Sequence, residues 1–199
     1  MKKLPFIALA IVALTACKKP EIIPSPGESI TLKGNYNAVI NGENVEWTKN
    51  VNGYAIQSEQ TGVLQAGTTI SDYTFSSGFF STTAPSSIMI KLGTLSHDES
   101  VSPEISSTAF EGFFNANTSP QYGSGEAGFF IEYTNEAGRK FISEASNPGS
   151  VEFVDLELVN DDQDVYMTYK CNFSGPLVSR EEDTLNVIMD ASLTGWFRK

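Results

Sequence analysis

The chain contains little cysteine, little histidine and few basic residues. Its 199 residues include two cysteines and one histidine, and 13 lysines and arginines stand against 24 acidic residues, a formal net charge of −11. A zinc site needs a cluster of such ligands, so this composition argues against one. Nucleic acid requires a basic surface, so the charge argues against that partner. We therefore expect no metal, no cofactor and no nucleic-acid partner.

Long hydrophobic runs are also missing, with one short exception at the start. The basic stretch MKK precedes an apolar stretch over residues 4–13, which is too short to cross about 30 Å of bilayer as a lasting helix. The stretch LTAC then ends at Cys17 and resembles the bacterial lipobox, in which the cysteine is lipidated and becomes the mature N-terminus. We therefore expect a signal peptide over residues 1–16 and, on Cys17, acyl chains such as palmitate that anchor the protein to a membrane.

The residues after Cys17 indicate a spacer and a destination. The stretch over residues 17–29 contains three prolines and one glycine and is typical of an extended linker. Lys18, rather than an acidic residue, follows the cysteine and favours the outer membrane over the inner one. The side of that membrane stays open. Residues 30–199 are enough for one domain, and Cys171, as a single thiol, has no intramolecular disulfide partner, so a hydrophobic core must hold the fold together.

Most of this domain alternates apolar and polar residues with a period of two, which is typical of half-buried strands. The first such stretch begins at Ile30, and the pair Asn41-Gly42 predicts a type I′ hairpin after it. The stretch GFFIEYTNEAGRKFIS predicts a second hairpin about Asn135 to Gly138. The clearest strand is the last, where Val187 and Met189 fall on one apolar face. We predict a mainly β protein, a single antiparallel β-sandwich or barrel-like domain.

One segment follows helical spacing instead. Ile105, Ala109 and Phe113 lie four residues apart, and Ser102 with Pro103 form a favourable helix start. We predict one short helix from this point. A change of face in SVEFVDLELV, between residues 153 and 154, predicts a β-bulge.

The layout resembles a broad group of Bacteroidota outer-membrane lipoproteins with β-rich domains of unknown function. The resemblance rests on NAVINGENVEW, FEGFFN, GFFIEYTNEAGRKFIS, VYMTYKCNFSGPL and the terminal LTGWF, and it covers about residues 33–199. It implies a mostly antiparallel β-domain on a lipid tether. It implies no catalytic or binding residue.

Several short motifs resemble functional sites, but a structural role explains each of them better. GSGEAG matches G-x-G-x-x-G but precedes a strand, so we expect a turn rather than a dinucleotide site. NDDQD, at residues 160–164, lacks the glycine and the closing glutamate of a calcium loop, and REEDT is another charged turn. We expect His97 to be an exposed loop residue and Cys171 a small buried one.

The two tryptophans are the stronger candidates for a ligand site. Trp196 shares the polar face of its strand with Asn186, Asp190 and Thr194, where an exposed indole would stack on a sugar or anchor a protein partner. The alternative is a structural tryptophan that covers a second core layer or the end of a barrel. Trp47 is the second candidate. We therefore expect a non-catalytic, membrane-anchored binding module with a glycan or protein partner. The alternatives are a small envelope hydrolase acting on glycan or peptide, and a structural subunit of an envelope complex.

Overall fold

Ten antiparallel strands and one short helix make up the part of the chain that the computed structural model describes, residues 31–161, 164–179 and 186–199. The prediction of a mainly β, antiparallel domain with one short helix is confirmed, and the sheet curls into a half-barrel. The elements, in chain order, are β1 (Asn35–Ile40), β2 (Glu43–Thr48), β3 (Tyr54–Leu64), β4 (Ile70–Ser81), β5 (Ser87–Asp98), α1 (Ser107–Ala116), β6 (Phe129–Thr134), β7 (Lys140–Ile142), β8 (Ser150–Asn160), β9 (Val165–Ser179) and β10 (Asn186–Arg198).

The sheet has the strand order β2-β1-β10-β9-β7-β6-β5-β4-β3, and β8 pairs with the first two thirds of β9. Its curvature brings strands that are distant in this order into contact. Arg198 of β10 donates its backbone N–H to the Ser58 hydroxyl of β3 at 2.8 Å. The Tyr169 hydroxyl of β9 donates to the Ser77 hydroxyl of β4 at 2.9 Å, in the buried interior. The inner face of the curled sheet therefore encloses the core.

Local turn chemistry explains the connections that were predicted. Asn41 and Gly42 have φ of 51° and 88°, the positive values that a type I′ turn requires. The predicted bulge is present in β8, one residue later than expected. Val154 pairs with Lys170 and Glu157 with Thr168, so two residues of β8, 155 and 156, lie opposite a single residue of β9. The first described strand starts at Asn35, where its pairing with β10 begins, and Ile30, where the alternation starts, lies outside the described residues.

The helix α1 begins later than the sequence predicted. Ser106, not Ser102, is the N-cap, and its hydroxyl accepts the backbone N–H of Ala109 at 3.1 Å. The Ser102 carbonyl instead lies 2.8 Å from the His97 ring nitrogen Nε2, and the Ile105 carbonyl accepts from the Lys199 side chain at 2.8 Å. These contacts hold the preceding segment against the sheet, outside the helix.

The helix closes one end of the half-barrel. Phe110 and Phe114 pack against Phe75 and Phe197, with ring centroids about 5 Å apart. Val187 lies ten residues before Phe197 on β10, about 33 Å away along an extended strand, and marks the other end of the half-barrel. Among the described residues, no helix is long and apolar enough to cross a membrane.

Candidate functional site

A cleft of about 550 Å³ opens at the end of the half-barrel opposite the helix. One wall is the β1–β2 hairpin, the other is the turn between β6 and β7, and Val187 at the start of β10 lies between them. Clefts of this size accept drug-sized or monosaccharide-sized ligands. This is therefore the first place to look for a binding site.

The first wall follows from the alternation of β2. Glu43, Val45 and Trp47 are spaced two residues apart, so they share the face that lines the cleft. The tip of the hairpin is tied to β10, because the Asn41 side-chain oxygen accepts the backbone N–H of Ile188 at 2.9 Å and the Asn41 N–H bonds back to the Ile188 carbonyl at 2.9 Å. Two hydrogen bonds therefore hold the tip of this wall against β10.

The second wall is a turn that asparagine stabilises. The Asn135 side-chain oxygen accepts the backbone N–H groups of Ala137 and Arg139, both at 3.0 Å. Such local side-chain bonds fix a turn. Gly138 supplies the positive φ of 77° that the turn needs. Glu136 sits in this turn and projects its exposed carboxylate at the rim of the cleft.

Tyr133 lies at the base of the second wall and differs from the other buried tyrosines. It is 6% exposed, yet its hydroxyl has no hydrogen-bond partner within the described part of the chain. No described polar side-chain atom is both fully buried and unpartnered, so this hydroxyl faces the open cleft. The hydroxyls of the other four bond to protein atoms, namely Tyr36 to Met189, Tyr54 to Ser86, Tyr122 to Pro176 and Tyr169 to Ser77.

The environment of Tyr133 keeps its hydroxyl protonated. Burial, reinforced by the Glu136 carboxylate and by the Tyr54 hydroxyl, raises the pKa of Tyr133 to about 12. At neutral pH the phenol is therefore a hydrogen-bond donor that the protein leaves unused. Buried polar groups normally have a partner, so an unused donor in a cleft indicates a place for a ligand or an ordered water.

Trp47 lines the cleft but is not the exposed aromatic surface that the binding hypothesis requires. It is 7% exposed and packs against Tyr36 and Tyr54, with both ring centroids 4.7 Å away. These contacts occupy the surface of the indole that would otherwise stack on a sugar. Trp47 therefore contributes a rigid part of the cleft wall rather than a stacking platform.

Trp196 is also buried, so its indole is not the exposed platform that the ligand-site hypothesis requires. It lies on the outer face of β10 as predicted, but it is 8% exposed. The Lys49 ammonium covers its ring at 4.7 Å from the centroid and donates to the Leu32 carbonyl at 3.0 Å. Asp190 is exposed six residues away, about 20 Å along the strand, too far to share a small ligand. The Asn186 side chain lies outside the described part.

The remaining motifs have structural roles where the structure describes them. GSGEAG forms a turn, with φ of 65° at Gly123 and 93° at Gly125, and β6 follows it, as predicted. In NDDQD, the Asp164 carboxylate accepts from the Arg198 guanidinium at 2.6 and 2.9 Å, so a cation already occupies it. Residues 162 and 163 of that motif, all of REEDT and Cys17 fall outside the described residues. Among those that are described, no group of His, Cys, Asp and Glu is arranged to hold a metal ion.

The structure shows the burial and the contacts of His97 and Cys171. His97 is half-buried at the end of β5 rather than exposed in a loop, because its ring bonds to the Ser102 carbonyl and lies edge-on against Tyr73. Cys171 is fully buried, as predicted, and burial raises the pKa of its thiol well above the usual value. Neither side chain reaches the cleft.

The sequence did not single out the residues that give the cleft its polar character. Tyr133 and Glu136 belong to a hairpin that was predicted, and Glu43 follows a turn that was predicted. Period-two alternation from Trp47 back to Glu43 was the one available indication that these two share a face. Nothing local connects Glu43 with Tyr133, since the fold alone brings the two hairpins to the same end.

Comparisons with known proteins identify no relative. No protein-family model matches the chain, and no curated protein and no solved structure is significantly similar to it. The cleft is therefore characterised by its own residues, an unpartnered phenol at its base, one exposed carboxylate on each wall and a buried indole in the β1–β2 wall.

Proposed function

We propose that this protein is a lipid-anchored binding module of the bacterial outer membrane, which captures a polar ligand in the cleft at the open end of its half-barrel. The lipid anchor would be on Cys17, after removal of a signal peptide over residues 1–16. The lipobox-like LTAC and the resemblance to Bacteroidota lipoproteins support this part. The unpartnered Tyr133 hydroxyl at the base of the cleft supports the binding role.

The chemistry of the cleft suits recognition of hydroxyl or carbonyl groups. Tyr133 offers a donor from a rigid, buried position, where a hydrogen bond to a ligand is stronger than in water. Asn44 adds an exposed amide at the wall, beside apolar surface from Ile40 and Val45. A few fixed polar groups on a partly apolar lining are typical of small-ligand sites. Sugar and peptide fragments of the cell envelope both carry such groups.

A small envelope hydrolase is the second candidate, because Glu43 and Glu136 line the same cleft and a glycosidase uses two carboxylates. Both side chains are exposed, however. A glutamate that acts as general acid usually sits in an apolar, water-poor pocket, and neither wall provides one. Binding without turnover is therefore the better-supported role.

Fluorescence of Trp47 tests the binding role directly. In a Trp196→Phe variant, Trp47 is the sole indole and lines the cleft, so titration with muropeptides released from peptidoglycan should change its emission with saturation. The matched control is Trp47→Phe, in which Trp196 reports from outside the cleft and should respond little. An unchanged Trp47 signal at millimolar muropeptide would contradict the proposal.

Tyr133→Phe separates binding from folding. Its hydroxyl makes no bond within the described protein, so its removal should leave the unfolding midpoint nearly unchanged and weaken muropeptide binding about tenfold. Chromatography of the incubated muropeptides completes the test. New cleavage products that disappear in Glu43→Gln or Glu136→Gln would establish the hydrolase instead.

A further inference from the structure

The charge of the cleft narrows the class of ligand. The charged side chains among its described lining residues are two carboxylates, Glu43 on the β1–β2 wall and Glu136 on the β6–β7 wall. Within the described chain neither forms an ion pair or a hydrogen bond. Two unpaired carboxylates on facing walls repel an anion and attract a cation.

Three groups of the cleft provide complementary contacts at different depths. Tyr133 is only 6% exposed as a residue, and its hydroxyl donates from the base of the cleft and requires an oxygen or nitrogen acceptor on the ligand. The two carboxylates accept at the rim and favour a charged N–H donor. All three residues line the same cleft of about 550 Å³, and the Glu136 carboxylate also acts electrostatically on Tyr133.

We propose that the cleft selects a ligand that carries a protonated primary amine beside hydroxyl or carbonyl oxygens, such as an amino sugar with a free amine or an amine-bearing peptide. This inference rests on the proposed binding function and specifies its ligand chemistry. The amine binds between Glu43 and Glu136, and a neighbouring oxygen accepts from Tyr133. An ammonium offers three donors, enough to engage both carboxylates together.

Two trisaccharides that differ only at nitrogen test the inference. Glucosamine trisaccharide carries free amines, whereas its fully N-acetylated form is neutral and keeps the ring hydroxyls. Each is titrated into the Trp196→Phe protein near pH 6, where the amines are largely protonated and ordinary glutamates ionised. We expect saturable binding of the free-amine form, and at least about tenfold weaker binding of the acetylated form.

Charge-neutral variants test whether Glu43 and Glu136 bind the amine of the ligand. Glu43→Gln and Glu136→Gln should each weaken binding of the free-amine trisaccharide several-fold. The matched control is Glu46→Gln, which removes the same charge from the opposite face of β2 and should bind like the parent. Equal weakening by all three variants would indicate general attraction to an acidic protein and would overturn the inference.

The outcomes separate this inference from the function on which it rests. Equal binding of both trisaccharides, or tighter binding of the acetylated one, overturns amine selection but leaves a binding cleft. Absence of binding by either sugar also overturns amine selection for sugars, and a lysine-containing tripeptide then decides it for peptides. The muropeptide titration of Trp47 decides the binding role itself, whatever the charge of the ligand.

Discussion

Neighbouring residues of β10 occupy opposite environments. Met189 is fully buried and accepts a hydrogen bond from the Tyr36 hydroxyl at 3.3 Å, whereas Asp190 is exposed. Val187 is also buried, so the predicted apolar face of this strand is confirmed. A one-residue slip of register would exchange the two faces, which is why this strand is strongly specified.

The contrast between Met189 and Asp190 predicts a large difference between two substitutions. Met189→Asp should lower the free energy of unfolding by more than about 3 kcal/mol, because one tyrosine hydroxyl cannot compensate a buried charge. Asp190→Asn should change it by less than about 0.5 kcal/mol. Urea denaturation followed by circular dichroism measures both, and equal midpoints would contradict the strand assignment.

Trp196 shows that the period-two alternation of a strand predicts which face a residue lies on, but not whether that residue is buried. Its position on the outer face was predicted from its spacing, but the spacing left open whether the indole is exposed or covered, and the structure shows it covered. The lysine that covers it, Lys49, and the carbonyl that holds that lysine, at Leu32, come from the opposite end of the chain. Burial on the outer face of a sheet depends on such distant segments, and one sequence does not show where they pack.

At the scale of elements, the helix illustrates how a start is chosen between two serines. Ser102 and Ser106 both precede a run of helix-compatible residues. Ser106 caps α1, while the Ser102 hydroxyl donates to the Glu104 carbonyl in the segment before it. Tertiary contacts of that segment decide between two caps of similar intrinsic quality.

The different roles of Ser102 and Ser106 predict different losses of stability when each is replaced by alanine. Ser106→Ala should destabilise the domain by about 1 kcal/mol, because it removes the bond to the Ala109 N–H. Ser102→Ala, which removes hydrogen bonds to Glu104 outside the helix, should cost less than about half as much. Chemical denaturation of both variants makes the comparison, and a larger effect at Ser102 would mean that the helix starts there after all.

Local and distant pairings differ in how far they can be predicted. The Asn41-Gly42 hairpin and the hairpin around Asn135 were predicted, because their turn residues are adjacent in sequence. The short β7 also pairs with the end of β9, where Phe141 lies opposite Ser179. The period-two alternation of a strand does not indicate which distant strand it pairs with. The strand order of the half-barrel could therefore not be predicted from the sequence.

At the scale of the whole molecule, the cleft is a product of topology. Its walls come from the β1–β2 and β6–β7 hairpins, which the strand order places at the end of the sheet away from α1. The candidate site could therefore not be predicted from any one motif. It requires the complete curled sheet, because Tyr133 shares the cleft with Trp47 and Val187, which lie on strands remote from it in the chain.

The proposed anchor predicts a simple change in partitioning. Cys17→Ser should abolish lipidation and leave an unprocessed precursor or a product that no longer partitions into detergent, since no acyl chains remain. Phase partitioning with Triton X-114 and mass measurement of the N-terminus report this. Cys171→Ala is the control, because that buried thiol has no part in anchoring. Membrane partitioning of a Cys17→Ser protein cleaved after Ala16 would contradict the lipoprotein assignment.

The direction of β1 places the start of the strand and the cleft at opposite ends of the domain. The strand begins at Asn35, opposite Thr194, and ends at Ile40 on the rim of the cleft. From Thr194 back to Val187 is about 23 Å along β10. The described chain therefore enters the domain at the end away from the cleft. With the proposed lipid anchor on Cys17, the opening of the cleft would face away from the membrane surface, towards molecules that arrive from the space above the bilayer.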